Sequence, residues 1–363
     1  MTAMRDIEWL PPLLSRHRDA ARFARIKDVV GRAEPSLAYF MASDWLPEAC
    51  AALNVQLFTR VDLDHTLADL VGLTVSQDNS CRYCFAATRT LLIMVGYPRS
   101  HIARLEQNLA ISDFDEKTRV LLAYTRRLSR SSPSVSAGDV ESLRRVGIEG
   151  RAYRELAAAV SLWVFFNRVS TIAALPPEKM EQIPDRWAMR LMRPFIAARI
   201  DRAYRIRARP LSLPAEMRSG ACAEAVSALD GLPVALALRR AIDAMWASAS
   251  LPQRVRGLMC ATIARALCCP TSEAEAVAML AAAGVNSATV NGVLAHLDAP
   301  GLTDTERELI RFARETVWYE PASLQRKASR VRERLSEREF VEAIGTASMA
   351  NMLCRLHMAL AAE

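Results

Sequence analysis

The chain is poor in the residues that build sheets and turns. Among its 363 residues there are 13 glycines, and Phe, Trp and Tyr together make up 6%. No stretch alternates β-branched and polar residues between tight-turn signals, so a sheet-based fold is excluded. Ala, Leu and Arg dominate instead, and hydrophobic residues reach 51%. That mixture favours helices around a large core, in a chain long enough for two domains.

An uninterrupted apolar run is also missing. The longest candidate, Leu156 to Leu175, contains Asn167 and Arg168. An arginine in the hydrocarbon layer is expensive, so this segment reads as a buried helix and no membrane is expected. Met1 to Pro12 lacks the basic start, apolar middle and small-residue cleavage site of a secretory signal. A cytoplasmic protein is the expectation, with its 8 cysteines reduced. Net charge is +7, but arginines and acids mingle along the helices, as in Arg311-Phe312-Ala313-Arg314-Glu315. Nucleic acid is therefore not an expected partner.

What the chain does have is an internal echo. Met94-Val95-Gly96-Tyr97-Pro98-Arg99 is similar to Ala282-Ala283-Gly284-Val285-Asn286-Ser287, an offset of 188 (284 − 96). The same offset pairs Cys81 with Cys269 and Arg119 with Arg307. Asn167-Arg168 pairs with Cys354-Arg355 after a one-residue slip. Self-similarity at one interval implies a duplicated unit whose copies pack together. The expected fold is all-α, two tandem helical repeats over 1–205 and 206–363, with Pro210, Pro214 and Gly220 near the joint.

Helix signals fill in the repeats. A cap in Ser112-Asp113-Phe114-Asp115-Glu116 opens a helix through Thr118 to Leu128. Ser136 to Val146 is a short helix stopped by Gly147, and Arg151 to Ala174 a long one stopped by Pro176-Pro177. Thr303 to Trp318 and Ser336 to Ala362 take the corresponding places, and residues 186–209 read as a basic helical linker.

The chemistry concentrates at Cys81-Arg82-Tyr83-Cys84. A CxxC pair at a helix start sets two sulfurs about one turn apart, where free N–H groups and the helix dipole favour thiolate. Asn79 or Ser80 is the expected cap. Half of a zinc site and simple packing are the competing readings. The zinc reading needs further ligands, for which His65, Asp69 and His101 are the nearby candidates. Asp69 lies 12 residues before Cys81, with His65 one turn earlier on the same face. A carboxylate packed beside a thiol can take its proton. A solvated acid and a bystander histidine are the plainer alternatives.

This layout resembles the carboxymuconolactone decarboxylase superfamily, in its AhpD-like alkylhydroperoxidase branch. There a Glu is followed 12 residues on by CxxC, and a His comes four residues after the second Cys. The resemblance covers most of residues 36–178 and, more faintly, 232–362. Ile7-Glu8-Trp9-Leu10-Pro11 and Phe165-Phe166-Asn167-Arg168 resemble segments of peroxidase-related members. It implies an all-helical homo-oligomer without a cofactor, acting on a peroxide or disulfide. Cys84 would attack and Cys81 would resolve. A lipoyl or thioredoxin-like dithiol donor would reset the pair.

Asp69 stands where the family has its relay Glu, Thr88 where it has the His, and Tyr83 at an intervening position. Thr88 cannot act as a base near neutral pH, and Asp69 is one methylene shorter than Glu. In the second repeat Cys269-Pro270-Thr271-Ser272 replaces the pair, with Gly257 and Ala276 at the Asp69 and Thr88 positions. Cys50, Cys222, Cys260 and Cys354, and the adjacent Cys268-Cys269, are expected to serve packing. A non-catalytic scaffold of the same fold is the alternative function. A lactone decarboxylase is another, against which the retained CxxC argues.

Overall fold

The computed structural model describes residues 8–31, 33–107, 114–132, 134–177, 187–207 and 210–363. The fold is all-helical, with no strand among the described residues. The first half contains α1 (Ala20–Val30), α2 (Leu46–Leu57), α3 (His65–Asp78), α4 (Arg82–Met94) and α5 (Arg99–Gln107). It continues with α6 (Glu116–Ser129), α7 (Ala137–Arg145), α8 (Gly150–Ile172) and α9 (Trp187–Arg207). The second contains α10 (Ala223–Ala228), α11 (Val234–Ala247), α12 (Gln253–Ala266) and α13 (Pro270–Ala282). It ends with α14 (Ser287–His296), α15 (Asp304–Glu315), α16 (Pro321–Arg332) and α17 (Glu337–Ala362). No helix among the described residues is long and apolar enough to cross a membrane.

The local signals work through caps. Asp115 opens α6 by accepting the Thr118 N–H at 2.7 Å, while Ser112 and Asp113 lie outside the described residues. Thr303 with Glu306, and Ser336 with Glu339, form reciprocal capping boxes on α15 and α17. Gly147, at φ 75°, turns the chain beyond α7. The helix α8 stops at Ile172, before the two prolines, and Ala174 takes the left-handed conformation. The basic linker is the helix α9, and the expected 205/206 division falls in its last turn.

Helix starts recur at a fixed interval. α2 to α6 begin at residues 46, 65, 82, 99 and 116, and α11 to α15 at 234, 253, 270, 287 and 304. Each is 188 later than its counterpart (234 − 46). Partners recur as well: α3 packs on α4, α6 and α8, and α12 on α13, α15 and α17. Between the halves, α8 lies along α17 and α2 along α11. One buried apolar cluster takes in Leu53 and Phe165 from the first half and Ile242 and Phe340 from the second.

Three buried charges, Arg168, Arg355 and Glu342, tie the halves, and a fourth, Glu155, acts within the first. Arg168 Nε on α8 donates to the Thr316 carbonyl at 2.9 Å. Arg355 Nε on α17 donates to the Ser129 carbonyl at 3.2 Å. Ser129 ends α6 and Thr316 follows α15, so each guanidinium sits at a helix C-terminus of the opposite half. Unpaired carbonyls and the dipole favour a cation there. Burial nevertheless pulls both guanidinium pKa values down, Arg168 to about 10. Glu155 accepts the N–H groups of Val61, Asp62 and Leu63 at 2.7, 2.9 and 2.8 Å, fixing the turn into α3. Glu342 on α17 accepts from Ser43 Oγ and Trp45 Nε1, both at 2.7 Å.

Arg355→Ala should strand the buried carbonyl of Ser129 and lower the unfolding free energy by about 2–5 kcal/mol. Urea unfolding measures this against Arg311→Ala, which removes only an exposed pair with Glu308. Equal midpoints for the two variants would show that the Arg355 contact does not hold the halves together.

Candidate functional site

The turn between α3 and α4 shapes the thiol pair. Ser80 is left-handed at φ 51°, and the Cys81 N–H returns to the Ser76 carbonyl at 2.9 Å. Cys81 thereby becomes the residue that caps α4, and its sulfur accepts the Cys84 N–H at 3.5 Å. This corrects the expected cap. Ser80 is consumed by the turn and Asn79 sits before it, so the thiol does the capping.

Both cysteines are free and buried, Cys81 completely and Cys84 to 3% exposure. Cys84 Sγ lies 3.6 Å from Ser170 Oγ on α8. Burial alone would raise both pKa values. For Cys81 it is outweighed by hydrogen bonds from Cys84 and from the Thr171 hydroxyl, and the net direction is down. Cys84 goes well up, through burial and then through the charge on Cys81. The two shifts run in opposite directions, favouring charge on the sulfur at the helix N-terminus over charge on Cys84.

Access is divided the other way. A cavity of about 360 Å³ opens over Cys84 but not over Cys81. Its walls are mainly apolar, including Phe40, Leu57, Leu91, Trp163 and Phe166, with Met189 and Ile196 of α9 on one side. Trp163 reaches its place because α3 has Gly72 there: a Cβ would stand 2.5 Å from the indole. The polar floor holds Cys84, Thr88 and Ser170.

The other residues singled out from sequence divide into two groups. Tyr83 and Thr88 line the cavity. The Thr88 hydroxyl donates to the Cys84 carbonyl at 2.8 Å and lies 3.2 Å from that of Phe85, so its proton serves its own helix. Asp69 and half-buried His65 stand one turn apart on α3, and neither is part of the cavity lining. Asp69 is 7% exposed. Burial raises its pKa to about 7 against the opposing pull of Arg60.

Three groups that motif reading did not find complete the surroundings. Ser170 and Thr171 come from α8. Tyr319 comes from the second half, 238 residues beyond Cys81 (319 − 81). Its hydroxyl donates to the Asn167 carbonyl at 2.7 Å and is in hydrogen-bond contact with Thr171. The Arg168 guanidinium lies 5.0 Å from its ring centre. Burial and then the charge on Cys81 push the Tyr319 pKa well up. The Phe165-Phe166-Asn167-Arg168 motif ends two residues short of Ser170, and no local pattern points to Tyr319.

The corresponding turn in the second half is altered. Cys269 caps α13, and its sulfur lies 3.3 Å from Ser272 Oγ, which is 2.7 Å from His357 Nδ1. Hydrogen bonding with Cys354 pulls the Cys269 thiol down to about 4 against its burial, helped by His357 and Ser272. Cys50, Cys222 and Cys354 are buried, as expected of packing residues, and Cys260 is partly buried. Cys268 corrects the packing expectation: it is exposed in a left-handed turn at φ 54°. No protein family, curated protein or solved structure matches the chain.

The Asp69 carboxyl gives a pH test. Between the ordinary value of 3.8 and about 7, the native state holds a proton that the unfolded state lacks. Stability conferred at this site therefore falls as pH rises through that window and levels off above it. Asp69→Asn should gain stability relative to the parent between about pH 4 and pH 7, and no more beyond. A stability difference that does not vary with pH, in urea titrations, would contradict the buried carboxyl.

Proposed function

We propose that the chain is an AhpD-like thiol oxidoreductase that reduces a peroxide or a disulfide with Cys84 and Cys81. The observation that carries this reading is a hydrogen-bonded free dithiol whose Cys84 forms the floor of an apolar cavity. The pair divides the two needs of a thiol nucleophile, access and ionisation. A proton transfer along the S–H···S contact places the charge on Cys84 at the moment of attack.

The steps balance without a cofactor. Cys84 thiolate attacks the terminal oxygen of a hydroperoxide, the O–O bond breaks, and Cys84 becomes a sulfenic acid. The leaving alkoxide takes the proton from Cys81. Cys81, now thiolate, attacks the Cys84 sulfur, forming the disulfide and releasing hydroxide. A lipoyl or thioredoxin-like dithiol returns the two electrons. Apolar walls favour an organic hydroperoxide over hydrogen peroxide. The raised Asp69 pKa suits a proton reservoir near neutral pH, and Tyr319 with Thr171 steadies the charge on Cys81.

The recurring interval of helix starts supports descent from a duplicated unit. In that reading the second repeat has lost its second thiol to Ser272 and lends Tyr319 to the first. Homo-oligomerisation and a cytoplasmic location belong to the same proposal. A scaffold reading rests on two observations: both sulfurs are nearly sealed, and the Thr88 hydroxyl is bonded to its own helix.

Thiol counting after one equivalent of an organic hydroperoxide decides between them. The parent should lose two thiols per chain and regain both with a dithiol. Cys81→Ser should stop at a sulfenic acid trapped by a 1,3-dione, and Cys84→Ser should lose turnover altogether. Undiminished turnover in Cys84→Ser would sink the proposal. An unoxidised parent would leave the scaffold.

A further inference from the structure

A second cluster lies in the other half of the chain, and the thiol chemistry makes no use of it. Cys222 immediately precedes α10, Glu275 is on α13, and His357 is near the end of α17. One potential ligand atom from each lies within 4.8 Å of the other two. Glu275 Oε2 and His357 Nε2 face each other at 3.9 Å. That is too long for a hydrogen bond, and both atoms are buried with no hydrogen-bond partner. His357 is 4% exposed, so solvent does not compensate its ring nitrogen.

A cation among the three groups satisfies them all. A tetrahedral zinc ion, bound at about 2.0–2.3 Å, spaces its ligand atoms by roughly 3.3–3.8 Å. The observed separations reach that range by small side-chain rotations. The donor set of one thiol, one imidazole and one carboxylate is that of zinc rather than of calcium or magnesium.

The supports around the ligands are already in place. Ser272 Oγ at 2.7 Å from His357 Nδ1 orients the ring. A proton on Nδ1 leaves Nε2 as the donor to a metal. Cys222 sits in a left-handed conformation at φ 56°. The turn before it is held by buried Arg239, which donates to the carbonyls of Ala221 at 2.5 Å and Ser219 at 3.3 Å. Strain of this kind persists where neighbours fix it.

The same side chains also suggest a Ser272–His357–Glu275 hydrolytic triad, and the space available decides between the two. The cavity beside Cys222, Ser272 and Glu275 is about 30 Å³. That volume has room for a single water beside the three ligand atoms but not for an acyl substrate. We propose that Cys222, Glu275 and His357 bind one zinc ion, with a water in the fourth position, and that the ion pins the Cys222 turn to α13 and α17.

Cobalt(II) is the probe, added to chelator-stripped full-length protein carrying Cys81→Ser and Cys84→Ser so that the first thiol pair cannot contribute. One equivalent per chain should give a thiolate-to-cobalt charge-transfer band and tetrahedral d–d bands. Zinc should displace the cobalt and raise the melting temperature. Cys222→Ala should abolish the charge-transfer band, with circular dichroism confirming an intact helical fold. Glu275→Gln, at a partly exposed position, should weaken cobalt binding at least tenfold and serves if Cys222→Ala does not fold. Absence of the bands, or a charge-transfer band that survives Cys222→Ala, would overturn the assignment. Peroxide turnover enters none of these readouts, so the site stands or falls separately from the dithiol.

Discussion

Two buried arginines, exchanged between the halves, are the constraint on which the rest depends. Arg168 and Arg355 leave α8 and α17 and end at the helix termini of the opposite half. Neither guanidinium is fully compensated by an acid, and each draws on backbone carbonyls that would otherwise be stranded in the core. Each long helix is thereby tied to the opposite half, and the tie made by α8 lies beside the thiol site. Asn167 receives Tyr319, Arg168 covers the Tyr319 ring, and Ser170 and Thr171 reach the two sulfurs. Interface and site occupy one turn and a half of α8.

The electrostatics of the pair follow from this placement. A thiol at a helix start is expected to ionise, but complete burial opposes it. What tips the balance for Cys81 is the number of donors aimed at one sulfur: the Cys84 N–H, the Cys84 thiol and the Thr171 hydroxyl. Cys84 lines the cavity and has the raised pKa, while Cys81 is the sheltered sulfur with the lowered one. The resemblance implies attack by Cys84, the sulfur that lines the cavity, whereas the pKa directions run the other way, down for Cys81 and up for Cys84.

Local physics was legible in the sequence, and convergence in space was not. Caps such as Asp115, Thr303 and Ser336 act on their own helices, so their signals survive without tertiary context. The CxxC pair was visible for the same reason. Thr88 was legible as a poor base from its chemistry, but its attachment to the Cys84 carbonyl depends on a rotamer. Ser80 looked like a cap until the turn geometry claimed it. Ser170, Thr171, Tyr319 and His357 carry no local pattern at all, because their partners lie 85 or more residues away. Cys222 read as a packing residue since nothing nearby in sequence announces Glu275 or His357.

The use of a sulfur as the cap of α4 has a consequence for reduction potential. Every contact that holds negative charge on Cys81 stabilises the dithiol and has no counterpart in a disulfide, where that sulfur is neutral. Closing the Cys81–Cys84 bond also takes the charge away from the helix dipole. In the proposed cycle, a Cys81–Cys84 disulfide is a comparatively strong oxidant, readily discharged by the dithiol donor. The capping geometry that ends one turn and begins a helix would, in that proposal, also set the voltage at which the pair works.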